Sequence, residues 1–587
     1  MMRIAAHFVA DAPDIKGFPP LCFGYLYSYL RMYGPQVEMR MLHSADEIVR
    51  YRPDVVALSA TTLNYTLARN LAHDLKRRLD VPIVIGGVHI TVLPSSLYRE
   101  FDIGIVGEGE QTFCELVDLF ERKGAFHPDD IAGIDGLVFR ADGRLVQTAP
   151  RSLIAPLDRI PHPDRRFVGQ SGDEAYMFTS RGCPYRCSFC SSQVHWGKYR
   201  VFSPEYVVDE IEELHREFGV KKLHFFDDIF VADIDRLERI AGLIEERGLH
   251  GKMEFSCAIR ANLADERLMK VLKRMGINRV TFGAESNSAR ILRYLKGRGI
   301  TPQDNQRAVD MCHKFGIKIS PSFIKGAPDE TGDDLMETYK FLIRNIRDKK
   351  IDYFEFHKLT PFPGTKVWDE AKDMGLVSDD LDDWSRLRYP SEYFYMNRVM
   401  PKSVFYFFED LNERVQKMLG LFGHRLIAVL DVIGLGEQVL ECARALARSR
   451  FFEMLVAIDL ERLRKPKEIE EELKGMGYAV MSPQELLDAT SRFGESDIFC
   501  FIKPAEPFDI EAVKNLVWHH YATKADLTRF APYKFFYPVS GFERELYVMG
   551  RRAFEQVAKR YIADIGAGRK LVPAERLVEE WGCVELY

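Results

Sequence analysis

Residues 54 to 59 read Asp-Val-Val-Ala-Leu-Ser, a run so uniformly apolar that both of its faces must be covered. A strand of that kind belongs to a parallel sheet with helices on either side, and the flanking sequence agrees. Strand patterns at Arg3 to Val9, Val37 to Leu42, Pro82 to Gly87 and Phe101 to Val106 alternate with helical patterns at Pro20 to Tyr33, Tyr65 to Leu79 and, after Gly107-Glu-Gly-Glu110, on to Phe120. This spacing predicts a flavodoxin-like, doubly wound α/β domain over residues 1–140. In such a sheet a ligand lies outside the carboxyl ends of the strands. Gly86, Gly87, Gly107 and Gly109 fall at those ends, where glycine permits close backbone approach or merely a tight turn.

Residues 141–172 carry Pro150, Pro156, Pro161 and Pro163 without periodicity and read as a linker. From 173 to 365 six further strand patterns begin at Tyr176, Lys222, Met253, Arg279, Lys318 and Tyr353, with helical patterns at Pro204 to Phe218, Asp233 to Arg247, Asp265 to Met275 and Gly332 to Arg347. Six such units fit a partial (βα)6 barrel with its site at the carboxyl ends of the strands. Residues 366–423 are aromatic, with Trp384, Tyr389, Tyr393 to Tyr395 and Phe405 to Phe408. They read as a helical connector packing the barrel onto the next domain, ahead of a hydrophobic lid. Residues 424–587 form a second alternating unit, an additional C-terminal α/β domain. Its Gly434-Leu-Gly436 turn, followed by Asp459, hints at a nucleotide, but Val439 stands where a third glycine would complete the fingerprint.

Between the linker and the barrel's first helix lies Cys183-Pro-Tyr-Arg-Cys187-Ser-Phe-Cys190. Structural zinc takes four closed ligands, so three thiols are an awkward set for it. Three suit a four-iron cluster that keeps one iron open to a small molecule; the duller alternative is three unrelated buried thiols. The chain has ten cysteines, and the other seven (Cys22, Cys114, Cys257, Cys312, Cys442, Cys500, Cys583) are scattered singly, as reduced core thiols of a cytoplasmic protein are. A length of 587 residues implies three or four domains. The formal charge of -6 confers no general affinity for nucleic acid or anionic membrane. No apolar run reaches the roughly 18–20 residues that cross a bilayer. The start, Met1 to Ala5, leads straight into a strand pattern with no signal-peptide cleavage site.

The cysteine spacing, with Phe189 before the last thiol, resembles the radical S-adenosylmethionine (SAM) superfamily. The resemblance implies that Cys183, Cys187 and Cys190 hold a [4Fe-4S] cluster whose open iron binds SAM, and that a 5′-deoxyadenosyl radical results. It also implies SAM contacts at the strand ends: Asp227 and Asp228 toward the amino group, Ser256 and Arg260 toward ribose and carboxylate, Gly283 and Glu285 after the fourth strand, and Gly326 beside the adenine. For the aspartates the alternative is helix capping, and for Arg260 a surface ion pair. The wording up to Ser59, then Gly86-Gly87-Val-His89, then Gly107-Glu108-Gly109-Glu110 is similar to the cobalamin-binding domain that precedes many radical SAM barrels. That places Ser59, the four glycines and Glu108 beside a corrin. The Asp-x-His-x-x-Gly motif that ligates cobalt elsewhere is missing: the loop after the first strand, Ala10 to Gly17, has no histidine. Cobalamin is therefore expected without a histidine from that motif, and His89 as a loop histidine.

Together these point to a cobalamin-dependent radical SAM enzyme methylating an unactivated carbon of a small molecule, served by an electron donor such as flavodoxin or ferredoxin. The alternative is a cyclase, rearrangement or oxidation enzyme with the same domains. A methylthiotransferase fits less well, because its three further N-terminal cluster cysteines have only Cys22 and Cys114 to match them. A non-enzymatic cobalamin or nucleotide sensor conflicts with the intact thiol trio.

Overall fold

The computed structural model describes residues 1–10, 19–388 and 393–418 without a break, and beyond 418 the strands and helical stretches named below. Its first compact unit comprises 1–339 with 354–405, and its second 340–353 with 406–587.

The first unit opens with strands β1 (Arg3–Val9), β2 (Glu38–Met41), β3 (Val55–Ala60), β4 (Ile83–Gly86), β5 (Ile103–Ile105), β6 (Leu137–Ala141) and β7 (Arg144–Gln147). They form one sheet in the order β2-β1-β3-β4-β5-β6-β7. The first five are parallel, the flavodoxin-like order with its switch point between β1 and β3. β6 and β7 add an antiparallel hairpin, so the stretch read as linker begins with a strand that polar residues had concealed. As expected of its apolar run, β3 is buried nearly throughout.

The second sheet consists of β8 (Glu174–Met177), β11 (Lys222–Phe225), β12 (Glu254–Ile259), β13 (Ile277–Glu285), β14 (Lys318–Lys325) and β15 (Glu355–Lys358). All pair in parallel in the order β15-β14-β13-β12-β11-β8, the expected six-stranded partial barrel. Between β8 and β11 the short strands β9 (Ser180–Arg181) and β10 (Arg200–Val201) pair antiparallel. Helices Ala289–Lys296 and Pro302–Lys314 separate β13 from β14 where no helix was predicted.

The aromatic connector behaves differently from expectation. Trp384 is buried against His89 and Trp368, and its backbone N–H donates to Thr66 Oγ1 at 2.9 Å. Trp368, Trp384, Leu387, Phe394 and Met396 share one apolar core with Tyr65, Ala68 and Ile90. The stretch therefore packs the barrel back onto the N-terminal sheet, because the indoles find their apolar surface there.

In the second unit, β16 (Leu426–Asp431), β17 (Met454–Ile458), β18 (Tyr478–Met481), β19 (Ile498–Ile502), β20 (Leu527–Phe530), β21 (Leu546–Gly550) and β22 (Val584–Leu586) form a sheet in the order β18-β17-β16-β19-β21-β20-β22. The first four are parallel and β21 is antiparallel to both neighbours, which makes this unit α/β as expected. Gly434, Gly436, Val439 and Asp459 lie outside the described residues.

Candidate functional site

A cavity of about 580 Å³ opens at the carboxyl edge of the first sheet. Ser59, Gly86, Gly87, Gly107, Glu108 and Gly109 all line it, so the six residues singled out in the N-terminal domain converge on one space. Facing them are Tyr176, Phe178, Phe226, Arg181, His195 and Trp196 from the barrel and the hairpin loop. The two conspicuous glycines do different work. A Cβ on Gly87, at φ +108°, would stand 2.5 Å from the Ala60 carbonyl, so glycine is needed there for chain packing. Gly107, at φ +87°, has nothing within 4 Å of where its Cβ would be, and its missing side chain leaves space. The walls are mainly apolar and aromatic, as a flat macrocycle shielded from water requires.

His89 takes no part. It is buried in the short helix Val88–Val92, 3.9 Å from Tyr65 centroid to centroid, with Ser96 Oγ at 3.0 Å from Nε2 and Thr62 Oγ1 at 3.3 Å from Nδ1. Burial pushes its pKa down to about 3, so it is a neutral core imidazole. Cys22 also departs from expectation: it is exposed, lines the cavity, and lies 3.9 Å from Ser59 Oγ, whereas Cys114, Cys257 and Cys312 are buried core thiols.

The three clustered cysteines lie on the loop joining β9 to β10. Gly182 enters it at φ +83°, where a Cβ would meet the Lys198 carbonyl at 2.8 Å. The Ser188 N–H donates to Leu295 O at 2.8 Å and its own carbonyl accepts from Val367 N at 3.1 Å, tying the loop to the barrel's flank. The Cys190 N–H donates to Cys187 O at 3.2 Å, and the Arg260 guanidinium reaches Cys187 Sγ at 3.8 Å while stacking 3.9 Å over Tyr185. Burial pushes the Cys183 thiol up, with Cys187 and Asp228 adding to it. Among the described residues no three His, Cys, Asp or Glu side chains converge to grip one ion. Three thiolates are the donor set of a four-iron cluster with one iron open, and an N–H···S donor such as Arg260 tunes clusters of that kind.

The paired aspartates divide their labour. Buried Asp227 accepts from Thr179 N at 2.9 Å, Thr179 Oγ1 at 3.1 Å and Ser180 Oγ at 2.5 Å, and burial pushes it up to about 6. Both its oxygens are thus occupied in holding the entry to the cysteine loop, a role outside helix capping. Asp228 is exposed and accepts from Ser192 Oγ at 2.5 Å, two residues past Cys190. Ser256 lies within β12 instead of at its end, and its hydroxyl is bonded to His224, whose Nε2 meets Glu174 Oε1 at 2.6 Å. Arg260 is buried, not a surface ion pair. Glu285, at φ +57° beside an irregularity in the β13–β14 register, pairs with buried Lys296 at 3.3 Å. Lys296 also donates to Gly283 O at 2.6 Å. Gly326, at φ +93°, follows β14 and donates its N–H to Glu330 Oε2 at 2.6 Å. Phe189 is partly buried against the shared core.

Two family models match the chain: the B12-binding domain over residues 18–117 and the radical SAM superfamily over residues 177–342. An uncharacterized methyltransferase of Pyrococcus horikoshii is 36% identical over 374 residues, covering 60% of this chain and 78% of that protein. The chain is a radical SAM enzyme with a B12-binding domain. The anaerobic magnesium-protoporphyrin IX monomethyl ester cyclase of Rubrivivax gelatinosus is 28% identical over 402 residues, covering 65% of this chain and 71% of that one. Among solved structures, the radical SAM methyltransferase TsrM of Kitasatospora setae, with cobalamin and a [4Fe-4S] cluster bound, has the same fold at TM-score 0.54 and 20% identity, over 64% of this chain and 76% of that one.

Several residues of this radical SAM enzyme's site escaped the sequence reading. Arg181 and Trp196 enter the cavity from the cysteine hairpin, and His195 joins them with a buried Nδ1 that has no hydrogen-bond partner among the described residues and a pKa pushed down to about 4 by burial. Their nearness to Cys190 in sequence was a usable signal. Buried Lys296 and Glu330 gave none, since charged residues in helical or turn patterns ordinarily read as solvated.

Proposed function

We propose that this radical SAM enzyme transfers a methyl group to an unactivated carbon of a small-molecule substrate, with Cys183, Cys187 and Cys190 as the cluster ligands and the cavity at the sheet edge as the corrin site. The observation that carries this reading is the shared cavity: one space bounded on one side by the Gly107-Glu108-Gly109 edge and on the other by the barrel's first strands and the cysteine hairpin. When bound, the cluster with SAM supplies a hydrogen-abstracting radical and cobalamin supplies a transferable methyl group.

The chain's own residues bind, orient and shield. Asp227 holds the entry to the thiol loop, and Arg260 directs an N–H at Cys187. Asp228 offers a carboxylate beside the loop toward an ammonium, while Gly283 and Glu285 close β13, Gly326 follows β14 and Ser256 stands mid-strand in β12. Tyr176, Phe178 and Phe226 line the space between the two halves and keep water from a reactive carbon centre. A second outcome, ring closure without methyl transfer, is favoured by the likeness to the Rubrivivax cyclase. A flavodoxin or ferredoxin would serve as the electron donor. Among the described residues no helix is long and apolar enough to cross a membrane.

The test is anaerobic reconstitution with iron, sulfide and hydroxocobalamin, then reduction in the presence of SAM labelled in its methyl group. About four irons per chain, a corrin spectrum and 5′-deoxyadenosine are expected. Transfer of label to carbon selects methylation; a cyclised product without label selects the second outcome. No 5′-deoxyadenosine above that of a variant with all three thiols replaced by alanine would overturn both.

A further inference from the structure

The hairpin that carries the thiols has two arginines facing each other at its base. Arg181 and Arg200 are direct partners across the β9–β10 ladder, a pairing that like charges disfavour. Glu108 resolves it: its Oε1 accepts from Arg181 at 2.8 Å and from Arg200 at 2.8 Å, while Oε2 accepts from Arg200 at 3.0 Å and from the Ile154 N–H at 3.0 Å. Glu110 takes the remaining arm of Arg181 at 2.5 Å. Side-chain exposures of 3% for Glu108, 7% for Glu110, 6% for Arg181 and 13% for Arg200 make this a closed, neutral, desolvated constellation.

It joins two parts of the molecule, and Arg181 lines the cavity as well. Glu108 and Glu110 stand on the glycine edge that bounds the cavity, and Arg181 is two residues ahead of Cys183. Arg181 also lies 5.2 Å from the ring centroid of Trp196, which follows the thiols in the chain. Buried arginine forks are geometrically demanding, since a displacement of either partner strands a charge. We propose that Glu108, Glu110, Arg181 and Arg200 are positioning residues that hold the thiol loop at a set separation and orientation relative to the corrin cavity. The inference rests on the cofactor placement proposed above. Glu108 and Glu110 thereby act through the arginines on the cluster, and the sheet domain constrains the radical centre without touching it.

The test compares reconstituted holoenzyme with Glu110→Gln and Arg181→Lys, which keep size and part of the bonding. Glu115→Gln is the control, because Glu115 braces Arg151 from the same helix without reaching the thiol hairpin. Each protein is loaded with iron, sulfide and saturating hydroxocobalamin and reduced so that cluster and cobalt are both paramagnetic. Dipolar coupling between the two spins is then read by pulsed electron paramagnetic resonance. Wild type and Glu115→Gln should give one narrow distance distribution. Glu110→Gln and Arg181→Lys should keep iron and corrin contents but lose that narrow distribution. Unchanged coupling in both would overturn the positioning role, and so would loss of cluster and corrin from both, which would make the pairs a requirement for folding alone. Wild type that binds no cluster or no corrin would instead overturn the placement of the cofactors.

Discussion

Glu330 offers a quantitative test of how the turn after β14 is built. Its side chain is fully buried, one oxygen accepts from the Gly326 N–H at 2.6 Å, and the other, Oε1, has no hydrogen-bond partner among the described residues. Burial pushes its pKa from the usual 4.5 to about 8, with the Gly326 and Ala327 N–H groups opposing. An acid whose folded-state pKa is raised stabilises the native state only while protonated. Its unfolded counterpart ionises near 4.5, so stability is whole below that pH, declines as pH rises toward 8, and is level above. Linkage at 1.36 kcal/mol per pH unit puts the loss at roughly 1 kcal/mol by pH 5 and roughly 3 kcal/mol by pH 7. Glu330→Gln keeps an acceptor for Gly326 and cannot ionise. The stability difference between variant and wild type should therefore shift in the variant's favour by about 2–3 kcal/mol between pH 5 and pH 7. Urea titrations of the cofactor-free chain at several pH values, followed by tryptophan fluorescence, read this directly. A difference that stays constant from pH 5 to pH 8 would refute the reasoning, and so would a variant less stable than wild type at pH 8.

Gly87→Ala should destabilise the first unit through collision with the Ala60 carbonyl, whereas Gly107→Ala should cost only the roughly 1–2 kcal/mol of a left-handed backbone and lower corrin affinity by intruding on the cavity; thermal melts and cobalamin titration separate the two. His89→Ala should leave the corrin spectrum unchanged while lowering the melting temperature, because the imidazole serves an aromatic core; a spectral change would restore it as a ligand. Breaking the buried Glu285–Lys296 pair with Lys296→Met should cost about 3–5 kcal/mol by leaving a carboxylate unpaired, and Glu285→Gln introduced beside it should recover part of that in denaturant titrations.

The strand-and-helix frame was legible because parallel strands covered on both faces must be apolar. β3 and β4 announce themselves, and their neighbours follow from the alternation. What stayed hidden was structure made by pairing between distant segments. β7 is too polar to read as a strand until β6 is beside it. The helices at 289–296 and 302–314 are short and interrupted by Gly297 and Gly299, so their periodicity fades before it registers. Trp384 was visibly destined for burial, but nothing local said that its surface would include His89, far back along the chain, beside the nearby Trp368.

The site divides along the same line. Residues whose chemistry shows in a short motif were legible as candidates: the thiol trio on one loop, and the glycine edge whose members share one cavity. Residues whose role depends on which face of a strand they occupy were placed less well. Strand-end reasoning put Ser256 at the mouth of the barrel, but β12 runs on to Ile259 and leaves the serine mid-strand, bonded to His224. In a closed barrel that inner face would be packed with branched apolar side chains. Here Glu174, Tyr176, His224 and Ser256 occupy it, and Phe226 is half exposed. Period-two alternation along these strands looks like a solvated sheet surface, and a partial barrel gives the same pattern for another reason: the face turned from the helices lines a chamber. The polar alternation of these strands therefore marks the face turned from the helices, and a reading tuned to solvated sheet surfaces passes it over.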